Sequence, residues 1–416
     1  MLRNNFDATL WLLLVAYFCV TLDSSILRDV SANRSRRSVL FVKLNASERQ
    51  LKAGAEKPSI RTKEEDAPRT RPYFSTSKKS YVALDTARFL CDDPESPNCA
   101  NKTSIYKSKV VYELRRVLKE SYEENDFYRV QYKDEDRIAE ETELCRLKRA
   151  DVRTITWRDS PFDWNEIGRY IPPGPLFRER NATCAIVSSA GSLKGSSLGS
   201  FIDGHDIVMR FNHAPTVGYE QDVGSKTSVR VVNSQVVVKP EFELLTASLF
   251  RNVSIAAWDP GKFNQSLKEW IETPDFNLFE NFKQYHQKYP GANFHLVDPR
   301  SIWRAWSALQ DKTKIKIIRN PPTSGFIGLG LLLPACRYVH MIEYIPSSRM
   351  NGLCHYYDDE INSACTFGSW HPLAAEKLYV LRMNTATDFT TFQHGIVRIG
   401  ADGPTPSAEG GDCQPP

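Results

Sequence analysis

The sequence predicts an α/β fold in which a mostly parallel central sheet is flanked by helices. Three short apolar runs resemble buried strands, and helical or turn segments separate them. They lie at 185–188, 206–211 and 229–232. Hydroxyl or amide residues end each run, namely Ser188, Asn212 and Asn233. Because ligands bind beyond the carboxyl ends of strands in open α/β sheets, we expect a site at this edge. An ordinary βαβ unit with capped helices is the alternative interpretation.

Other stretches extend this α/β pattern in both directions along the chain. Residues 105–124 place Ile105, Val110, Val111, Leu114 and Leu118 at helical spacing, which predicts an amphipathic helix. A helix is also predicted at 193–202. Further strands are predicted at 253–258, 293–297 and 338–345.

The glycine patterns narrow the kind of ligand. The chain contains neither GxGxxG nor GxxxxGK[ST], so a dinucleotide fold and a P-loop receive no support. Residues 320–325 read NPPTSG and precede the apolar run FIGLGLLL. This arrangement predicts a helix N-terminus behind small polar residues, which suits a phosphate. An ordinary N-cap is the alternative.

Composition and the N-terminal residues indicate the compartment. The chain has 416 residues and a net charge of +4, which does not favour nucleic acid as a partner. The long apolar run at 8–22 is shorter than a usual transmembrane helix. It is either the core of a signal peptide or a short signal anchor, and we favour the uncleaved anchor. Six N-x-S/T sequons predict glycosylation at Asn33, Asn45, Asn101, Asn181, Asn252 and Asn264.

The nine cysteines fit an oxidising compartment. Cys19 lies in the apolar run, which leaves eight cysteines for up to four disulfides. Cys91 and Cys99 bracket a proline-containing loop and are expected to pair, while Cys354 and Cys365 could close a short loop. A zinc ribbon is not expected, because the chain has no CxxC pair. The acidic DED at 134–136 could suggest a metal-binding DxD, but a solvated helix face is the favoured interpretation.

The last informative block is CHYYDDEINSACTFGSWHPLAAEK at 354–377. His371 follows Trp370 and precedes Pro372, which makes the backbone beside it rigid. A lone histidine is more often structural. Its place in a block with Tyr356, Thr366 and a short cysteine-closed loop favours a catalytic role.

Together these blocks resemble the four sialylmotifs of animal sialyltransferases, in the same order, over roughly residues 145–400. Residues 184–235 resemble the large motif and residues 320–344 the small one. HYYD at 355–358 resembles the third motif, and HPLAAE at 371–376 the very small one. QDVGSKTSVRVVNSQ and SACTFGSWHPL are most similar to the β-galactoside α2,6-sialyltransferase subfamily.

The resemblance implies one GT-A-like α/β domain on a type II Golgi anchor, with the catalytic domain luminal and a cleaved secreted form as an alternative. The implied segments are a cytoplasmic tail at 1–7, a signal anchor at 8–27, a stem at 28–100 and a catalytic domain at 101–416. The implied donor is CMP-sialic acid. The implied acceptor is the 6-hydroxyl of terminal β-linked Gal or GalNAc on glycoprotein N-glycans. We expect transfer with inversion at the anomeric carbon, without a metal or other cofactor.

Residue roles follow from the same resemblance. His371 would be the general base, with an ordinary imidazole pKa of about 6.5, close to working pH. Donor contacts would be Ser189, Asn212, Asn233, Thr323, Ser324, Gly325, Cys354, His355 and Thr366. Acceptor contacts would be Gln235, Asp275, Trp370 and Lys377. Implied disulfides are Cys184–Cys336, Cys354–Cys365 and Cys145–Cys413.

Three departures from the family pattern matter. His355 and Trp370 stand where close relatives tend to have Tyr, which affects the expected phosphate contact and acceptor fit. Pro334 interrupts an apolar helix and is expected to kink its last turn.

Competing functions stay open at this point. The chain could be an α2,3- or polysialyl-transferase, or a glycan-binding protein with a dead site. Intact His371, Ser324 and Asn233 argue against the dead site. A cysteine hydrolase is disfavoured, because the expected disulfides leave no obvious free thiol in the folded region.

Overall fold

A seven-stranded sheet forms the centre of the protein. The computed structural model describes residues 86–120, 127–132, 142–177 and 181–400. The strands are β1 Ala182–Val187, β2 Ile207–Phe211, β3 Val229–Asn233, β4 Ser254–Trp258, β5 Phe294–Leu296, β6 Cys336–Ile342 and β7 Ile396–Gly400. Their order in the sheet is β5-β4-β3-β2-β1-β6-β7. All neighbouring pairs are parallel except β6 and β7. The predicted α/β fold with a mostly parallel sheet is confirmed.

Helices flank this sheet. The α-helices are α1 Pro97–Glu120, α2 Glu143–Arg149, α3 Gly199–Asp203, α4 Glu220–Val223, α5 Ser234–Val238, α6 Leu267–Glu272, α7 Phe279–Lys288, α8 Pro299–Asp311, α9 Ser324–Leu332, α10 Ala364–Phe367, α11 Leu373–Met383 and α12 Asp388–Phe392. Short 3-10 helices lie at Ala87–Phe89, Ile167–Tyr170, Gly191–Leu193, Pro240–Phe242 and Ser248–Phe250.

Both faces of the sheet are covered, as a parallel sheet requires. In β1, Cys184 and Ile186 pack into one hydrophobic cluster, while Ala185 and Val187 pack into another on the opposite face. The alternation follows the two-residue period of a strand. The site edge therefore lies between two packed layers, which hold the strand ends in place.

Two helix predictions need correction. The predicted helix at 193–202 is broken, because Gly195 and Ser197 have positive φ angles of 78° and 54°. Their backbone N–H groups donate to the Asp222 carboxylate at 2.7 and 2.9 Å, so 194–198 form a loop and the helix begins only at Gly199, as α3. The expected kink at Pro334 is also absent, since α9 ends at Leu332 before the proline.

The predicted amphipathic helix corresponds to α1. Val110 and Leu114 are fully buried, as the spacing requires. Ile105 is 42% exposed and does not belong to the buried face, where Tyr106 lies instead. The Tyr106 hydroxyl donates to the Ser347 carbonyl at 2.6 Å, which ties α1 to the loop after β6.

The predicted localisation, a single-pass type II Golgi membrane protein, is corrected. Among the residues that the structure describes, no helix is both long and apolar enough to cross a membrane. The longest, α1, carries Lys, Arg and Glu along its length, and such charges are costly in a bilayer. The predicted anchor at 8–27 lies outside the described residues.

The predicted disulfides agree with the structure where it describes both cysteines. Cys91–Cys99, Cys184–Cys336 and Cys354–Cys365 are bonded. Cys145 is also disulfide-bonded, but its predicted partner Cys413 lies outside the described residues, so that pair stays a prediction.

Glycosylation also stays a prediction. The sequon residues Asn101, Asn181, Asn252 and Asn264 are all exposed, as glycosylation would require. Asn33, Asn45 and the acidic run at 134–136 fall outside the described residues.

Candidate active site

A cavity of about 250 Å³ opens at the carboxyl edge of the sheet, beyond the ends of β1, β2 and β6. This is the edge where the sequence predicted a ligand site. Ten predicted site residues line it, namely Ser189, Asn212, Thr323, Ser324, Gly325, Cys354, His355, Thr366, His371 and Lys377. The other four predicted residues, Asn233, Gln235, Asp275 and Trp370, are not part of this lining.

The ends of β2 and β3 support each other. The Asn233 backbone N–H donates to Asn212 Oδ1 at 3.1 Å, and Asn233 Oδ1 caps α5 by accepting from the Val236 N–H. Asn233 therefore contacts Asn212, which lines the cavity, and is itself the N-cap of α5. Arg230, buried on β3, donates to the carbonyls of Asn212 and Ala214 at 2.9 and 3.0 Å. Sequence reasoning missed Arg230, because nothing local distinguishes it from a surface arginine.

The N-terminus of α9 faces the cavity. Thr323 is its N-cap, and its hydroxyl accepts from the Phe326 N–H at 3.2 Å. Gly325 has to be glycine, since a Cβ there would lie 2.7 Å from the Tyr344 ring. The first N–H groups of a helix lack partners within it and carry partial positive charge. This end of α9 can therefore receive an anion.

Glu376 holds the N-terminal end of α9 in place. Its buried carboxylate accepts from the Thr323 N–H at 2.8 Å, from Thr323 Oγ1 at 2.5 Å and from the Tyr344 hydroxyl at 2.6 Å. Burial raises the pKa of Glu376, and these hydrogen bonds oppose the rise. The last residue of HPLAAE thus positions the N-cap of α9.

One ring nitrogen of His371 keeps its lone pair. Its Nδ1 lies 2.8 Å from the Pro321 carbonyl oxygen. Because a carbonyl only accepts, Nδ1 carries the proton and Nε2 keeps its lone pair. Burial lowers the pKa of His371 to about 4, and the Pro321 hydrogen bond opposes this shift. The expectation of an ordinary pKa was wrong, because the sequence could not show the burial.

Two of the predicted acceptor residues, Trp370 and Asp275, are connected to His371 by ring contacts and by Tyr128. The Trp370 ring lies edge-on to His371, with centroids 4.4 Å apart. Tyr128 joins this group, since its ring lies 6.3 Å from Trp370 and its hydroxyl donates to Asp275 at 2.8 Å. Tyr128 was missed because it lies far away in sequence. Gln235 follows β3 in α5, beside Asn233.

Lys377 lines the cavity and carries an amine whose charge depends on pH. It is buried on α11, and its Nζ donates to the Thr366 carbonyl. Burial lowers the pKa of Lys377 to about 7, although nearby Glu376 and Glu343 raise it. Its ammonium form could balance a bound anion.

His355 lies on the loop closed by Cys354–Cys365. Its Nδ1 is 2.7 Å from Asp358, and its ring stacks on Tyr357 with centroids 5.0 Å apart. The ligand atoms of His355, Asp358 and Glu360 come within 4.8 Å of one another, close enough to hold a metal ion. Since Nδ1 is already bonded to Asp358, we interpret the group as a hydrogen-bonded pair. The expectation that no metal is needed stays a prediction.

Comparison with known proteins gives the family. Residues 165–387, more than half of the chain, match Glycosyltransferase family 29 (sialyltransferase). Beta-galactoside alpha-2,6-sialyltransferase 2 of Pan troglodytes is 44% identical over 258 residues, 61% of this chain and 49% of that protein. Its namesake from Danio rerio is 39% identical over 304 residues, 72% of this chain and 59% of that protein.

The chain spans about half the length of the curated relatives it matches. Among solved structures, a mammalian sialyltransferase in complex with Gal-beta-1-3GalNAc-ortho-nitrophenol is similar at 20% identity and a TM-score of 0.37. The match covers 61% of this chain and 82% of that one. A TM-score this low supports no argument about fold or ligand. The family match and the relatives' identity show that this chain belongs to glycosyltransferase family 29, the sialyltransferases.

Proposed function

We propose that this chain transfers sialic acid from CMP-sialic acid to the 6-hydroxyl of terminal β-linked Gal or GalNAc on glycoprotein N-glycans. Family membership supports sialyl transfer, and the names of the relatives support the α2,6 linkage. One observation about the site carries the proposal. His371, the α9 N-terminus and the loop after β1 line the same cavity, so a proton acceptor and an anion site share one space.

The donor phosphate would lie at the N-terminus of α9. Ser324 and the Gly325 N–H would donate to it, and His355, which lines the same cavity, would also contact it. Ser324 Oγ accepts from the Trp258 indole at 2.9 Å, so its own proton is free to point towards a ligand. A monophosphate leaving group carries less charge than a diphosphate. We therefore assign its stabilisation to amides, hydroxyls and Lys377, with no metal.

His371 would act on the acceptor. Nε2 takes the proton of the 6-hydroxyl as that oxygen bonds to the anomeric carbon of sialic acid. The bond from this carbon to the phosphate oxygen breaks on the opposite face, and CMP leaves with the electron pair. The configuration is therefore inverted. The Pro321 hydrogen bond keeps the proton on Nδ1 and leaves Nε2 ready to accept another.

Product analysis tests this proposal. The purified protein is incubated with CMP-sialic acid and a desialylated N-glycan, and CMP release and product linkage are measured. We expect acceptor-dependent CMP release and an α2,6 product. A matched acceptor ending in 6-deoxygalactose should give no product, because it lacks the attacking hydroxyl. An α2,3 or polysialyl product would contradict the linkage, and acceptor binding without CMP release would indicate a dead glycan-binding site.

A further inference from the structure

Glu343 has an unusual backbone for its residue type. It directly follows β6 and has a left-handed φ of 53°, which is costly for residues other than glycine. It is also buried at the cavity wall. A backbone held this way persists only where its surroundings determine it strongly, and such residues concentrate at functional sites.

The Glu343 carboxylate is fully occupied by partners. It accepts from Ser192 Oγ at 2.7 Å, from Ser347 Oγ at 2.6 Å and from the Ser347 N–H at 3.1 Å. The Arg349 guanidinium donates to it at 2.6 Å, which pairs the buried charge. Because it has a cationic partner and several hydrogen-bond donors, this buried carboxylate is held in one position.

The Glu343 backbone makes two more connections. Its carbonyl accepts from Ser188 Oγ at 3.1 Å, and its N–H donates to the Gly395 carbonyl at 2.7 Å. A Cβ at Gly395 would lie 2.3 Å from the carboxylate, so the approach needs glycine. Glu343 thus holds Ser188 and Ser192, the two ends of the short loop that follows β1.

We propose that Glu343 is a positioning residue that fixes the loop 188–192, the segment containing the expected donor contact Ser189. The loop lines the cavity at each of its five positions. Other groups hold its middle, since the Ser189 carbonyl accepts from the Tyr356 N–H and the Gly191 carbonyl from Asn351 Nδ2, both at 3.1 Å. Through Ser188 and Ser192, Glu343 fixes both ends relative to β6. The kinetic part of this inference rests on the proposed sialyl transfer, whereas the structural part does not.

Two serine variants test the proposal without removing the buried charge. Ser192→Ala and Ser347→Ala each remove one hydroxyl hydrogen bond to the same carboxylate, but only Ser192 belongs to the loop. We expect Ser192→Ala to raise the KM for CMP-sialic acid about tenfold, with kcat changed less than about twofold. Ser347→Ala should leave both constants near wild type.

A double variant separates positioning from direct contact between Ser192 and the donor. If Ser192 acts through Glu343, Glu343→Gln should raise the donor KM, and adding Ser192→Ala should raise it little further. Fully additive effects would overturn the proposal. So would equal effects of Ser192→Ala and Ser347→Ala, which would indicate a merely structural network.

Hydrogen exchange gives a readout that needs no activity. Amide exchange in residues 188–192 of the full chain should be faster in Ser192→Ala and unchanged in Ser347→Ala. Unchanged exchange in Ser192→Ala would overturn the positioning role. If the wild-type protein transfers no sialic acid, the proposed function fails, and the exchange result still decides whether Glu343 fixes the loop.

Discussion

At the scale of single residues, neighbouring groups and burial decide which side chains of the site carry a proton. The Pro321 carbonyl fixes the tautomer of His371. Burial lowers the pKa of His371 to about 4, so the ring stays neutral at pH values where an ordinary imidazole would be protonated. Lys377 is shifted in the same direction, because burial disfavours its charged form too. His371 sets the acid limit and Lys377 the alkaline limit, so the two pKa values define a pH window for activity.

The expected pH dependence follows from these two pKa values. His371 must be neutral to accept a proton, so activity should fall only as the pH approaches about 4. Lys377 must be charged to attract the donor anion, so activity should fall above about 7. A profile of kcat/KM against pH checks this, because it reports the free enzyme. An acid limb centred at or above 6.5 would contradict the assigned state of His371.

The same residues show which parts of the site could be predicted from the sequence. Ser189, Asn212 and Thr323 were predictable, because a strand end or a helix start is a local pattern. Glu343 and Tyr128 were not, since their roles come from contacts made across the sheet or from distant segments. Burial of His371 is also non-local, and for that reason the sequence suggested an ordinary pKa.

At the scale of elements, the N-terminus of α9 couples stability to the site. Its cap Thr323 also donates to Glu376, which lies on α11, so two elements are aligned by one hydroxyl. The sequence predicted this helix start from NPPTSG. The helix predicted at 193–202 was wrong in its first half, where the distant Asp222 carboxylate organises a loop, and α3 begins only at Gly199.

A pair of cap variants tests this coupling. Thr323→Val removes the α9 cap, and Thr387→Val removes the matching cap of α12, where the threonine accepts from the Thr390 N–H at 3.1 Å. Thr387→Val should lower the free energy of unfolding by about 1 kcal/mol, and Thr323→Val by more, because it also removes a hydrogen bond to the buried Glu376 carboxylate. Only Thr323→Val should also weaken CMP binding, measured by calorimetry. Equal CMP affinity in both variants would show that the cap does not affect the site.

At the scale of the whole molecule, two disulfides serve different purposes. Cys184–Cys336 joins the adjacent strands β1 and β6 across a sequence separation of 152 residues. Cys354–Cys365 spans a separation of only 11 residues and closes the loop that carries His355. The first constrains the unfolded chain far more, whereas the second shapes one wall of the cavity.

Double alanine variants should separate these purposes. Replacing Cys184 and Cys336 should cost about 5 kcal/mol in a chain-entropy estimate, against about 3 kcal/mol for Cys354 and Cys365. Thermal unfolding should therefore show the larger fall in Tm for the first pair. Donor KM should rise more in the second variant at a temperature where both are folded. The reverse order of either effect would be inconsistent with these roles.

The most direct measurement compares His371→Ala with the wild-type protein in two assays. One follows transfer from CMP-sialic acid to a desialylated N-glycan, and the other follows CMP binding by calorimetry. We expect transfer to fall by about a hundredfold or more, because the proton acceptor is lost. CMP affinity should stay within about threefold, since a factor of three is only about 0.65 kcal/mol. Near-normal transfer by His371→Ala would contradict the central claim that this imidazole is the base.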